Sequence, residues 1–476
     1  MSALWTLDAL KSATGARLSG APGREILGIS IDSRTIAPGD AFFAIKGDRV
    51  DGHEYAAGAL ARGAAVAVVA EDRLTSMPAD APLAIVADVL DALRALARAA
   101  RGRSAAKVIA VTGSAGKTGT KDALRLALSR EGGTHASTAS FNNHWGVPLS
   151  LARLASSARF AVFELGMNHA GEIEPLAKLV RPHVAVITTI EAVHLEFFSG
   201  IEAIADAKAE IFLGLEPGGS AVLPSDNSQF GRLSIAARAA KVGQIIGFGE
   251  DQGAEARLLD VALKPDCSTV RARILGDDVT YKVGAPGKHL VLNSLAVLAA
   301  VKIVGGDLAM AALALADLVP PTGRGRRLKL DVGGGKALLI DESYNANPAS
   351  MRAALEVLAQ APIGRRGRRM AVLGDMLELG PDAADLHRRL ADAVSAAKVD
   401  SVFCAGPLMR ELWDSLPPAM RGGYAETAEE LEPQVVAAIQ AGDAIMVKGS
   451  NGSHMGHIVT TLSERFRAPT AADLTA

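Results

Sequence analysis

Cysteine is almost missing from this sequence. Only Cys267 and Cys404 occur in 476 residues. They stand far apart, form no Cys-x-x-Cys motif and leave no disulfide framework to read, which fits a reducing compartment. A surplus of either charge is missing too. The formal net charge is −2, which argues against a general nucleic-acid binder. The dense basic runs are confined to "GRGRR" (323–327) and "GRRGRR" (364–369). Long hydrophobic runs are absent. "AAVAVVA" (64–70) is far short of a bilayer span, so no membrane insertion is expected. The opening "MSALWTLDALKSATG" carries Asp8 and Lys11 inside its apolar part, so it does not read as a signal peptide. The expected location is cytoplasmic. No Ser–His–Asp or Cys–His signature announces an enzymic nucleophile.

What is there fits a folded, multidomain protein. Hydrophobic residues make up 49% and charged ones 21%. The length implies about three domains. "KVIAVT" (107–112), "RFAVFELG" (159–166), "HVAVITTI" (183–190) and "GGSAVLPSD" (218–226) read as buried strands. In "TKDALRLALSR" (120–130), Leu124, Ala127 and Leu128 share one helical face. Such alternation predicts a parallel sheet covered by helices. Polar residues cluster after the apolar runs, where open α/β sheets bind ligands. The pattern restarts after the Pro/Gly/Arg break "LVPPTGRGRRLKL" (318–330), with "ALLIDESYNANP", "RRMAVLGDMLELG", "SVFCAG" and "DAIMVKGSNGS". An N-terminal unit carries strands at 65–71 and 83–88, and a helix over 89–104 leads into the centre. The expected domains are 1–87, 88–322 and 323–476.

Chemistry concentrates in a few stretches. "VTGSAGKTGT" (111–120) lies between a strand and a helix, where backbone N–H groups face an anion. Gly113, Ser114, Ala115 and Gly116 form the loop; Lys117 reaches for phosphates and Thr118 for Mg²⁺. The full Walker A spacing would need glycine at 111, where Val111 stands; the bland alternative is a glycine-rich turn with a solvated lysine. Glu164 ends an apolar strand and could hold Mg²⁺, although a lone strand-end glutamate is more often solvated. His194 by itself reads as a polar loop residue, and Lys208 as an exposed lysine. His289 and Asn293 are four apart on one helix face, facing a base edge or merely satisfying the core. Asp341, Tyr344, Asn345 and Asn347 crowd one turn, which could serve a nucleotide or peptide, or be an Asx-rich turn.

Taken in order, "TGSAGKT", "FNNHWGVPLSL", "ELGMNHAGEI", "AVHLEFF", "DAKAEIF", "GKHLVLNSLAV", "GRGR", "DESYNANPASM", "LGDMLELG" and "VKGSNGS" resemble the Mur ligase family. The likeness runs from "ISIDSRTIAPGDAFFAIKGD" (29–48) to about residue 460. That family's loop is T-G-x-x-G-K-[ST], so Val111 ceases to be a defect. The resemblance implies a central P-loop parallel-sheet ATPase-like domain. It would be flanked by an N-terminal UDP-sugar-binding α/β domain and a C-terminal Rossmann-like α/β domain. It implies ATP and Mg²⁺, with Lys117 and Thr118 on the nucleotide, and Thr118, Glu164 and His194 at the metal. Lys208 matches a lysine carbamylated in related ligases. Asn293 would contact adenine, Arg324 (or its neighbour Arg326) the phosphates, and Asp341 and Asn345 the nucleotide. Ser33, Arg34 and Lys46 match the UDP-sugar pocket; Asn142, Asn143 and Tyr344 would face the peptide side.

"YNANP" and "LGDMLELG", with no D-N-P-R, resemble the member using UDP-MurNAc-tripeptide and D-Ala-D-Ala. The implied product is UDP-MurNAc-pentapeptide for peptidoglycan synthesis, made through an acyl phosphate by a monomer. A diaminopimelate- or lysine-adding relative, folylpolyglutamate synthase, a P-loop ATPase or switch, and an inactive UDP-sugar binder are the competing readings. The "VPPTGRG" stretch (319–325) further predicts a hinge that holds Asn345 away from the Lys117 loop until ligands bind.

Overall fold

The structure is a computed structural model, described over residues 3–47, 50–78, 80–138, 140–193 and 195–467. Besides a two-stranded pairing of Trp5–Thr6 with Glu25–Ile26, three larger sheets follow one another along the chain. The first has five strands, with Asp40–Phe43 and Val66–Ala70 at its centre, and is joined to the next by the helix Val89–Arg103. Asp88 caps that helix through the Asp91 N–H, and Leu93, Leu96, Ala97 and Ala100 form its buried stripe.

The central sheet has nine strands. Lys107–Thr112 lies between Phe160–Glu164 on one side and Val184–Ile187 on the other, parallel to both. The chain leaves Thr112, travels to the sheet edge at Thr134–Ala136, returns beside itself and then crosses to the far side. The loop after Thr112 is therefore a switch point, where strand order reverses and a crevice opens. The helix Lys117–Leu128 follows, burying Ala123, Leu124, Ala127 and Leu128; each leucine so buried contributes about 1.5–3 kcal/mol. Across the same face runs Lys288–Ile303, almost wholly apolar from Ser294 to Val301.

The sheet is parallel only in part. Ala256–Leu263 joins it parallel to Gln244–Gly249, and Ser268–Ile274 and Asp277–Val283 then extend it as antiparallel strands. Their buried residues alternate, the pattern of a sheet covered on one face, whereas the runs read as strands from sequence are buried on both. The third sheet has six strands. It opens with a hairpin, Arg326–Val332 against Gly335–Glu342, turned by Gly333 and Gly334 at φ of +54° and +81°. Parallel strands Ala444–Lys448, Arg369–Gly374 and Ser401–Ala405 follow. Among the described residues no helix is long and apolar enough to cross a membrane.

Candidate active site

The carboxyl ends of the central and C-terminal sheets meet around one cavity of about 1430 Å³. Ser114, Ala115, Gly116, Lys117, Asn142, Asn143, Glu164, Asn293, Arg324, Tyr344 and Asn345 all line it. The backbone of the loop is shaped by two glycines at φ of +144° and +81°. A Cβ on Gly113 would fall 2.0 Å from Thr188 Oγ1, and one on Gly116 2.6 Å from Asn293 Nδ2. No side chain fits at either place. The long apolar helix thus presses Asn293 against the loop itself.

Lys117 Nζ donates to the Gly113 carbonyl at 2.7 Å. Burial lowers its pKa; Glu164 opposes that shift and Arg324 adds to it. Thr118, behind the loop, donates to Glu164 Oε2 at 2.9 Å, and Asn142 Nδ2 donates to Oε1 at 2.8 Å. Glu164 is fully buried. It ends its strand level with Val111, so strand register alone brings it beside the loop. An alcohol and a buried carboxylate form the oxygen donor pair that Mg²⁺ takes alongside water and phosphate. Among the described residues no group of three or more His, Cys, Asp or Glu side chains could hold a metal by itself. His194 lies outside the described residues.

Lys208 is 2% exposed. It sits on the helix Ile201–Ala209 and does not line the cavity. Its pKa falls well below the usual lysine value, first through burial and then through Lys117. The reading of Lys208 as an ordinary exposed lysine is thereby corrected.

On the opposite wall, Arg324 lies over the Tyr344 ring with its guanidinium carbon 4.1 Å from the centroid. Tyr344 OH and Ser140 Oγ are 2.5 Å apart, which ties the C-terminal domain to the central one. Arg326 does not line the cavity; it donates to Thr322 Oγ1 at 3.4 Å. Of the two arginines, Arg324 faces the site. Asn345 and Lys117 line the same cavity.

Other expected site residues are placed elsewhere. Asp341 is 1% exposed and does not line the cavity. Its carboxylate accepts from Gly323 N at 2.8 Å, Ser343 N at 3.1 Å and Ser343 Oγ at 2.6 Å. These bonds tie the carboxylate to the hinge at Gly323 and to its own turn at Ser343, away from the cavity wall. Ser33, Arg34 and Lys46 also stay outside the cavity. Ser33 and Arg34 form a 3₁₀ turn capped by Asp32, and Arg34 pairs with Asp32 through Nη2 at 2.7 Å. Sequence reading passed over Arg94, Arg98, Glu342 and Lys448, which do line the cavity. Lys448 lies within the quoted "VKGSNGS" stretch, where it ends an apolar strand just as Glu164 does; that signal could have found it.

Comparison with known proteins agrees along the chain. Residues 25–103 match the "Mur ligase family, catalytic domain", residues 111–301 the "Mur ligase middle domain" and residues 326–451 the "Mur ligase, glutamate ligase domain". The UDP-N-acetylmuramoyl-tripeptide–D-alanyl-D-alanine ligase of Rickettsia prowazekii is 31% identical, over 96% of this chain and 99% of that protein. MurF from Acinetobacter baumannii superposes with a TM-score of 0.82 at 32% identity, over 97% of this chain and 99% of that one. MurF from Thermotoga maritima, solved in complex with ADP, shares the fold with a TM-score of 0.75 at 24% identity, over 92% and 97%. With its three matched segments, its full-length relative and its loop set at a switch point, the chain belongs to the Mur ligase family.

Proposed function

We propose that this chain joins D-alanyl-D-alanine to UDP-N-acetylmuramoyl-tripeptide at the expense of ATP, through an acyl phosphate on the tripeptide carboxylate. The carrying observation is that the phosphate loop and the "DESYNANP" turn of another domain line one cavity, large enough for several substrates. The relatives' names supply the substrate classes.

The chemistry asks for positioning and charge neutralisation, not for an enzymic nucleophile. The loop N–H groups and the start of the helix Lys117–Leu128 receive the phosphates. Lys117 exchanges the Gly113 carbonyl for a phosphoryl oxygen, which draws on charge stabilisation in a water-poor site. Asn293, already against Gly116, borders the base. Arg324 approaches the phosphates from across the hinge. Asn142, Asn143 and Tyr344 border the peptide. Thr118 and Glu164 would hold Mg²⁺, which supplies neutralisation of phosphate charge. His194 is proposed as a further metal-site group on family likeness alone. Ser33, Arg34 and Lys46 remain the proposed UDP-sugar contacts on the same ground.

Burial that favours a neutral Lys208 amine also favours its carbamylation. The amine nitrogen bonds to CO₂ carbon and releases one proton, leaving an oxygen-bearing anion beside Lys117. A working monomer in the cytoplasm, where ATP is available, is part of the same proposal. Phosphate release from ATP and UDP-tripeptide, measured with and without D-Ala-D-Ala, tests the proposal. Release should require the dipeptide; equal release without it would make the chain a hydrolase or switch.

A further inference from the structure

Two arginines on the cavity wall have no part in the function proposed above. Arg94 and Arg98 stand one turn apart on the helix Val89–Arg103, so they share a face, and both line the cavity. Arg94 Nη1 donates to Asp91 Oδ1 at 2.8 Å. The Asp91 side chain is 70% exposed and does not line the cavity, so this pair is weak and leaves most of the guanidinium donors free. Among the described residues Arg98 has no hydrogen-bond or ion-pair partner. Like charges side by side on a helix cost stability, and no acidic side chain of the cavity wall pairs with either arginine.

Their surroundings are apolar. The helix packs against Gly146–Ala152 and Ile173–Val180, which also pack against each other. From those two helices Pro148, Pro175, Leu176 and Leu179 line the cavity. Glu172, just before the second of them, is already engaged by Asn168 N at 2.8 Å and His169 Nδ1 at 3.0 Å. This end of the cavity therefore offers an apolar strip and two cations. It belongs to the peptide side, because Asn142 and Asn143 lead directly into the helix Gly146–Ala152. The proposed UDP-sugar contacts Ser33, Arg34 and Lys46 do not line the cavity.

We infer that Arg94 and Arg98 receive the side-chain carboxylate of a diaminopimelate residue at the end of the UDP-tripeptide, and so select it over lysine. This rests on the ligase function proposed above. Diaminopimelate and lysine both carry an unbranched aliphatic arm. The first arm ends in a carboxylate and an ammonium on one carbon, the second in an ammonium alone. Methylenes lie favourably along proline and leucine surface, and a carboxylate matches the guanidinium fork. A lysine ammonium would meet two like charges. The carboxylate on the glutamyl residue of the tripeptide has no such arm to lay on the apolar strip.

The test uses the full-length enzyme with the diaminopimelate and the lysine forms of UDP-MurNAc-tripeptide, each varied at saturating ATP and D-Ala-D-Ala. The wild-type enzyme should favour the diaminopimelate form by about tenfold or more in kcat/KM. In Arg98→Ala, and further in the double variant with Arg94→Ala, the KM for that form should rise about 5- to 50-fold. The KM for the lysine form should stay within about twofold, so the preference shrinks. Arg98→Lys, which keeps the charge and loses the fork, should restore part of the loss. Arg98→Glu should turn the preference toward the lysine form, whose ammonium it attracts. Equal use of both forms by the wild-type enzyme would overturn the inference. So would an unchanged KM in the double variant. An equal rise for both forms would assign the arginines to the glutamyl carboxylate or the diphosphate, and would overturn it too. A wild-type enzyme that makes no product from either form would remove the ligase function first, and this inference with it.

Discussion

Two strands in different domains end in a glutamate at the same cavity, and the protein treats the two carboxylates differently. Glu164 is fully buried yet satisfied, with Thr118 and Asn142 as donors. Glu342 is less enclosed and has no such donor among the described residues, only Lys448 at 3.7 Å. The first belongs to a site built within one domain, where loop, helix and strand are held by a common sheet. The second stands on the other domain, across the hinge, with Lys448 as its ion-pair partner. A site divided in this way suits an enzyme that must admit three substrates and then exclude water.

The largest expected effect comes from breaking the first half at its charge. Lys117→Ala should lower kcat by about 10³-fold or more with the fold intact by circular dichroism, because the ammonium's present hydrogen bond is to one loop carbonyl. Near-normal turnover would remove the phosphate-loop assignment. Glu164→Gln is the sharper probe, because it keeps the shape and cancels the charge. Turnover should fall about 10- to 100-fold, and half-maximal rate should need more Mg²⁺. A variant with an unchanged Mg²⁺ requirement would show that the carboxylate organises Thr118 and Asn142 without serving a metal.

Lys208→Met should separate activity from stability. Activity should drop by about 10²-fold without rescue by bicarbonate, while the folded state gains about 1–3 kcal/mol near neutral pH. The sign follows from linkage. The folded-state pKa of Lys208 is lowered by burial, so the unfolded chain binds more protons between that value and the ordinary lysine pKa of roughly 10.4. Wild-type stability contributed by this group therefore rises with pH across that window, and Lys208→Met should lose the rise. Parallel stability–pH curves for the two proteins would contradict it. The smallest effect belongs to the hinge. Tyr344→Phe keeps the ring under Arg324 and removes only the bond to Ser140, about 1 kcal/mol. Small-angle scattering should show a slightly more extended ligand-free form, with kcat changed only a few-fold. An unaltered scattering profile would mean that this bond does not hold the domains together.

Much of the central domain was legible in order along the chain. "KVIAVT" and "RFAVFELG" are apolar on both faces, as strands buried on both sides must be, and the loop lies directly between a strand and its helix. The strands over 256–283 were passed over because only one face is buried, so their alternation competes with exposed polar residues. Lys208 was misread for a similar reason. Nothing in "DAKAEIF" says that this face of a short helix packs inward.

Sequence by itself determined the local chemistry: a glycine loop that only glycines can shape, a lysine and threonine at a helix start, and carboxylates at strand ends. These follow from φ/ψ limits and from apolar runs of strand length, which act within a few residues. The tertiary structure decided which of those groups meet. It turned Asp341 onto the hinge and Arg324 into the cavity, set Asn293 against Gly116, satisfied Glu164 and set Glu342 beside Lys448. Those outcomes depend on strand register and on packing between residues up to some two hundred positions apart, as with Ser140 and Tyr344, and no local pattern encodes such distances.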